Sequence, residues 1–184
     1  MTDTSSAIDV VRPLLRVRQI REFTPDSVSD AELEAITEVA RWSGSSRNTQ
    51  PWRFIVIREE ATIRKIAELG HPQTRSLTTA TAAVAIALPS DPTKAVGYAY
   101  DDGRAAERML IAASFLGLGA AIAWIVPDVR KAIGEILQLP EDWMVRTIVA
   151  LGHPTAAAKR PKAAPGTARR PREEAVFEGH WPKG

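Results

Sequence analysis

Arg16-Val17-Arg18-Gln19-Ile20-Arg21-Glu22-Phe23 sets three arginines within six residues and closes on an aromatic ring. Guanidinium groups grip phosphate oxygens through paired, charge-assisted donors, so this spacing suits a phosphate clamp. The same residues also fit a solvated basic face. A second polar string follows, Ser43-Gly44-Ser45-Ser46-Arg47-Asn48-Thr49-Gln50-Pro51-Trp52-Arg53-Phe54. Its hydroxyls, amides and backbone N–H groups suit the edge of a polar heterocycle, and Trp52 can anchor the turn in a core. A serine-rich loop that caps a helix and binds nothing has the same composition.

Several elements must position these strings. The pattern predicts a short helix over Val10 to Arg18, with Pro13 in its first turn. Ser29-Asp30-Ala31-Glu32 reads as a capping box. The helix it opens runs to about Trp42 and puts Leu33, Ile36, Val39 and Ala40 on one face. Phe54 to Ile57 reads as a strand and Ala61 to Leu69 as a helix. Ala83 to Leu88 is a continuous apolar run, as expected for a strand covered on both faces. From about Asp101 a helix buries Ala105, Ala106, Met109, Leu110, Ala113 and Leu116, and Gly117 and Gly119 stop it. Ala120 to Val126 and Thr147 to Leu151 read as strands, with a helix over Val129 to Leu137 between them. Helices bracketing a few apolar strands imply an α+β layered fold.

Composition narrows the function. The 184 residues suit a single domain with an ordinary soluble composition. No apolar run approaches membrane-spanning length, and Met1 to Asp9 lacks the apolar run of a secretory signal. Cysteine is absent, which removes disulfides and thiolate chemistry; a cytoplasmic home is the default expectation. Residues 156–184 carry seven Lys/Arg against three Asp/Glu, so the tail holds +4 and the body −2 of the total +2. A basic tail suits nucleic acid, but this one lacks aromatic interleaving before Phe177 and carries glutamates. Neither a nucleic acid nor a membrane is therefore expected as a partner. Phe177 and Trp181 suggest that the tail docks, plausibly on a second subunit; disorder fits its composition too. His71, His153 and His180 have no metal-ligand spacing, and Asp101-Asp102 reads as helix capping. Gly117-Leu118-Gly119-Ala120-Ala121-Ile122 follows a helix and lacks the third glycine of a dinucleotide fingerprint.

The order of these motifs resembles the FMN-dependent nitroreductase family. Its members show Arg-Arg-Ser-x-Arg-x-Phe, then a helix, then Pro-Ser-x-x-Asn-x-Gln-Pro-Trp. Arg18, Ile20, Arg21 and Phe23 match the first motif, while Val17 replaces an arginine and Gln19 a serine. Gly44 replaces the proline of the second. The resemblance runs from about Leu14 to Trp181 and includes Gly-Leu-Gly before a strand. It implies an FMN phosphate and flavin-edge site at Arg18, Gln19 and Arg21, with Ser45, Ser46 and Asn48 lining the flavin. Ile122, Ala123 and Trp124 would lie beside the ring. Arg169, then Arg170, match a C-terminal basic residue that reaches the phosphate.

The fold implied is a central, mostly antiparallel sheet flanked by helices, in an intertwined homodimer. Residues 154–184 would form an arm on the partner, with FMN between subunits. The activity implied passes hydride from NADH or NADPH through FMN to a small electron-poor acceptor such as a nitroaromatic or quinone. Dehalogenation or flavin cleavage on the same fold is an alternative, as is a non-catalytic flavin or deazaflavin carrier.

Overall fold

The computed structural model describes residues 4–160, 163 and 169–182. Part of the expected C-terminal arm, including Thr167 and Ala168 of its basic motif, lies outside the described residues. Among the described residues four strands form one sheet in the order β1-β2-β4-β3, every neighbouring pair antiparallel. They are β1 (Arg53–Ile57), β2 (Ala82–Pro89), β3 (Gly119–Trp124) and β4 (Trp143–Gly152). The helices are α1 (Thr4–Leu15), α2 (Asp30–Arg41), α3 (Glu60–Leu69), α4 (Ala95–Phe115), α5 (Arg130–Ile136) and the short α6 (Ala156–Lys159). The expected α+β layering is present.

Strand β2 explains how the layers are held. Ala83, Ala85 and Ala87 pack into the core beneath α3 and α5, while Val84, Ile86 and Leu88 pack into the core beneath α2 and α4. Both faces are dry, so the strand reads as an unbroken apolar run. The capping box at Ser29 forms: its hydroxyl accepts the Glu32 N–H at 3.3 Å, and the Glu32 carboxylate accepts the Ser29 N–H at 2.8 Å. Leu33, Ile36 and Ala40 are buried as expected. Val39 is exposed, because it sits at the flank of the stripe.

Other expectations shift. Helix α1 starts earlier and ends at Leu15, so Pro13 occupies its last turn rather than its first. Residues 17–23 consequently lie outside any helix, while Arg16 sits in the turn that ends α1, its N–H donating to the Pro13 carbonyl at 3.2 Å. Helix α4 begins at Ala95, behind a turn whose Asp91 side chain accepts the Thr93 N–H. That places Asp101 and Asp102 in mid-helix and buried, not at a cap. Leu116 is the exposed residue that ends α4. Strand β3 stops at Trp124, and β4 starts at Trp143 with a register slip between Ile86 and Ala87. Past Gly152, Thr155 caps α6 through the Ala158 N–H at 3.1 Å, and Ala158 joins the core.

Phe23 fixes the extended segment. A Cβ on Gly152 would stand 2.8 Å from the Phe23 side chain, and one on Gly119 would stand 2.7 Å from Ile20 and 3.0 Å from Phe23. Bare backbone at both positions lets residues 20–23 lie against the sheet edge. Gly152→Ala is expected to destabilise the protein by roughly 1–3 kcal/mol through overpacking. Urea denaturation checks this; an unchanged midpoint would contradict the seat.

Candidate functional site

The arginine segment is threaded along the free edge of β3. Ile20 donates its N–H to the Ala120 carbonyl at 2.8 Å, and Thr24 donates to the His153 carbonyl at 2.8 Å. The Gln19 side-chain oxygen supplies the next rung, accepting the Ile122 N–H at 3.3 Å. The same oxygen accepts from Arg21 Nη2 at 2.9 Å. Gln19 thus does what a neighbouring strand's carbonyl would do, and it holds a guanidinium in place as well. Its side-chain oxygen is engaged in this positioning role, while its amide N–H groups remain available as donors.

Arg18 turns the other way. Its Nη2 donates to the Ala158 and Lys159 carbonyls at 2.7 and 2.6 Å, clasping the end of α6. Beside it lies a cavity of about 190 Å³ whose lining includes Arg16, Arg18, Lys159, Ser114 and Gly117, with no carboxylate among the described residues. Three cations and a hydroxyl around one small cavity suit an anion. Gly117 ends α4 at φ +75°, where the Leu118 N–H reaches back to the Ala113 carbonyl at 2.8 Å. A side chain there would meet backbone strain, so glycine shapes this wall.

Arg169 and Arg170 do not line that cavity. Both are exposed, and Arg170 pairs with Glu174 at 3.6 Å. Lys159 is the cation that, among the described residues, the structure brings from the tail to line a cavity with Arg16 and Arg18, and sequence reasoning did not single it out. The only sequence signal was a basic pair, Lys159-Arg160, directly after a Thr155 cap.

The serine-rich string forms a tight, strained turn. Arg47, Asn48 and Gln50 all adopt positive φ, at 51°, 54° and 46°. Each such non-glycine residue costs on the order of 1 kcal/mol or more. Compensation comes from the Gln50 N–H donating to Ser45 Oγ at 2.9 Å and from the buried Trp52 that follows. Ser46 and Asn48 remain exposed, and Ser45 half-buried. Arg104 of α4 approaches the Gly44 carbonyl at 3.5 Å, which fixes the loop's place. Ten residues separate Arg104 from Ser114 of the anion cavity, about 15 Å along the helix. Within one chain the Ser45-to-Asn48 turn and the cavity of Arg18 therefore lie at different levels of α4.

On β3, Ile122 is half-buried and Ala123 lies in the core, so Ala123 can offer a ligand only its backbone. Trp124 is 51% exposed. Behind this strand sits a buried carboxyl. Asp102 Oδ2 accepts the Thr147 hydroxyl at 2.6 Å, while Oδ1 finds no partner among the described residues. Burial pushes the Asp102 carboxyl up to about 6, against the Thr147 bond and the charges of Arg146 and Arg130. Among the described residues no helix is long and apolar enough to cross a membrane.

Gln19→Leu is expected to leave the Ile122 N–H unpaired and release Arg21, at a cost of about 1–2 kcal/mol in stability. Gln19→Glu keeps the acceptor and should retain most of it. Thermal melts of both variants check this, and equal loss in the two would contradict the rung.

A layered α+β fold with an edge-strand cation cavity defines the class, and comparison with known proteins defines the family. Residues 16–88 match the model of the nitroreductase family. A provisional NADH dehydrogenase/NAD(P)H nitroreductase of Archaeoglobus fulgidus is 34% identical over 144 residues, covering 74% of this chain and 80% of that one. An NADH dehydrogenase of Thermus thermophilus is 28% identical over 162 residues, covering 83% and 78%. In structure, an FMN-dependent nitroreductase of Clostridium difficile superposes with a TM-score of 0.78 at 22% identity, over 91% of this chain and 98% of that one. The chain belongs to the nitroreductase family.

Proposed function

We propose that the protein is an FMN-dependent oxidoreductase that uses NADH or NADPH to reduce an electron-poor acceptor such as a nitroaromatic or quinone. The observation that carries this is the cavity of Arg16, Arg18 and Lys159 beside the edge of β3, which suits a phosphate monoester next to a strand. Bound there, FMN supplies two-electron hydride chemistry at its ring. Arg18 and Lys159 hold the phosphate, with Arg16 at the rim. Arg21, steadied by Gln19, sets a positive charge where a reduced ring gathers negative charge. Trp124 offers an exposed aromatic surface at the strand's end.

The remaining contacts come from a second copy. The two half-sites, near the middle and the C-terminal end of α4, are each incomplete, and a homodimer pairs the Ser45-to-Asn48 turn of one subunit with the arginine cavity of its partner. An exposed apolar stripe on α1, with Val11, Leu14 and Leu15, and the nearby Phe115 and Leu116 give such a dimer its surface. The whole chain then acts as one domain, and residues 154–184 form the arm that docks on the partner. Phe177 and Trp181, packed edge to face at 5.1 Å yet both exposed, are its apolar end. We expect the cytoplasm as the compartment, since the chain has no cysteine and no helix among the described residues is long and apolar enough to cross a membrane.

Oxidation of NADH and NADPH by the FMN-loaded protein, with p-benzoquinone as acceptor, tests the reading. Steady turnover that needs added quinone is expected. Tight FMN binding without turnover would replace the enzyme with a flavin carrier.

A further inference from the structure

Two half-buried guanidiniums, Arg130 and Arg146, share the single carboxyl of Asp102. Burial, then the charge of Arg146, holds Arg130 below its ordinary value, and Asp102 only partly offsets this. Among the described residues neither arginine has a carboxylate within ion-pair distance. Partly desolvated positive charge in excess is unfavourable unless an anion joins it.

Geometry says where that anion enters. Arg146 is the residue left unpaired where β4 slips register, between Val145 opposite Ala87 and Thr147 opposite Ile86. Bulges of this kind re-aim a side chain. Arg146 Nη1 donates to the Ala95 carbonyl at 3.2 Å, which leaves Nη2 and Nε for a ligand. Arg146 lines, together with Ala95, Val96, Ala99 and Tyr100 of α4, an open surface depression of about 350 Å³. Apolar walls beside one charged residue suit a small aromatic molecule with a charged end.

The depression also lies at the right end of the sheet. Trp124 pairs with Thr147, and the Ile125 N–H donates to the Arg146 carbonyl at 2.8 Å. The exposed tip of β3 and the depression are thus neighbours.

We infer that this depression receives the charged end of an aromatic carboxylate acceptor, with the Arg146 guanidinium on the carboxylate and Val96, Ala99 and Tyr100 against the ring. The assignment rests on the flavin reading above for calling the ligand an acceptor. It selects anionic aromatics over neutral ones of the same shape. A bidentate guanidinium–carboxylate pair supplies the discrimination, and lysine reproduces only its charge.

Calorimetric titration of the FMN-loaded protein with 4-nitrobenzoate and with neutral 4-nitrobenzyl alcohol tests it. The wild type is expected to bind the carboxylate about tenfold more tightly, as for a charge-assisted pair. Arg146→Met should erase that preference and Arg146→Lys keep part of it; the ratio of kcat/KM for the two acceptors should follow. Should Arg146→Met fail to fold, the wild-type and lysine proteins decide. Equal wild-type binding of both compounds, or a preference that survives in the methionine protein, overturns the assignment. Preferential nitrobenzoate binding without any NAD(P)H oxidation would keep the subsite and sink the redox function. Quinone turnover with no preference for the carboxylate would do the reverse.

Discussion

Arg18→Ala is expected to lower FMN affinity by roughly 10- to 100-fold, the loss of one charge-assisted contact worth about 1.5–3 kcal/mol. Among the described residues Arg18 donates through Nη2 to the Ala158 and Lys159 carbonyls, which leaves Nη1 and Nε for phosphate. The substitution therefore acts twice. It removes a donor from the cavity and unclasps the end of α6, from which Lys159 reaches the same cavity. Arg18→Lys should restore charge without the fork, and so recover only part of the affinity. Quenching of FMN fluorescence on titration into apoprotein measures this directly. Arg170→Ala is the internal comparison, since Arg170 is exposed and pairs with Glu174 rather than lining the cavity. A larger loss from Arg170 than from Arg18 would move the phosphate into the C-terminal arm.

Asp102→Asn is expected to stabilise the protein above neutral pH and to flatten its pH dependence. The folded carboxyl is pushed up to about 6 from an ordinary 3.8, mainly by burial. Because the folded value is the higher one, native protein holds the proton longer than unfolded chain does. The stabilising contribution is complete below about pH 4 and is lost as pH rises through about 6. At about 1.4 kcal/mol per pH unit between the two values, that loss approaches about 3 kcal/mol at neutral pH. Asparagine carries no charge, keeps an acceptor for the Thr147 hydroxyl, and gives the unpartnered Oδ1 position a neutral group. A rise in melting temperature of roughly 5 °C at pH 8 is expected, with little change at pH 4. A variant less stable than wild type at pH 8 would show that the Asp102 charge is held by Arg146 and Arg130 more strongly than burial opposes it.

Local chemistry made much of the architecture legible. Ser29 and Glu32 announce their helix because the capping partners are three residues apart. The run at β2 announces a strand covered on both faces because every second residue enters a different core. The start of α1 was hidden by serines of low helix propensity, and its true length moved Arg18 and Arg21 onto the non-helical segment that follows. The site was legible in its motifs and not in its assembly. Arg18 and Lys159 meet across 141 positions of sequence, a separation that leaves no periodic trace. Gln19 reads as a cofactor-contact residue in place of a serine, and nothing in a string shows that its side chain also accepts the Ile122 N–H. Asp102 looked like a cap because α4 opens well before it, behind a proline turn.

We propose that the edge of β3, with Arg16, Arg18 and Lys159, holds a redox-active flavin. The most direct test of this claim is the visible absorption spectrum of protein mixed with FMN, passed through a desalting column, and then given NADH or NADPH. Flavin bands that travel with the protein and bleach on adding a nicotinamide are the predicted result. A colourless eluate that neither retains FMN nor quenches its fluorescence would contradict the claim, and would assign the cation cavity to a different anion.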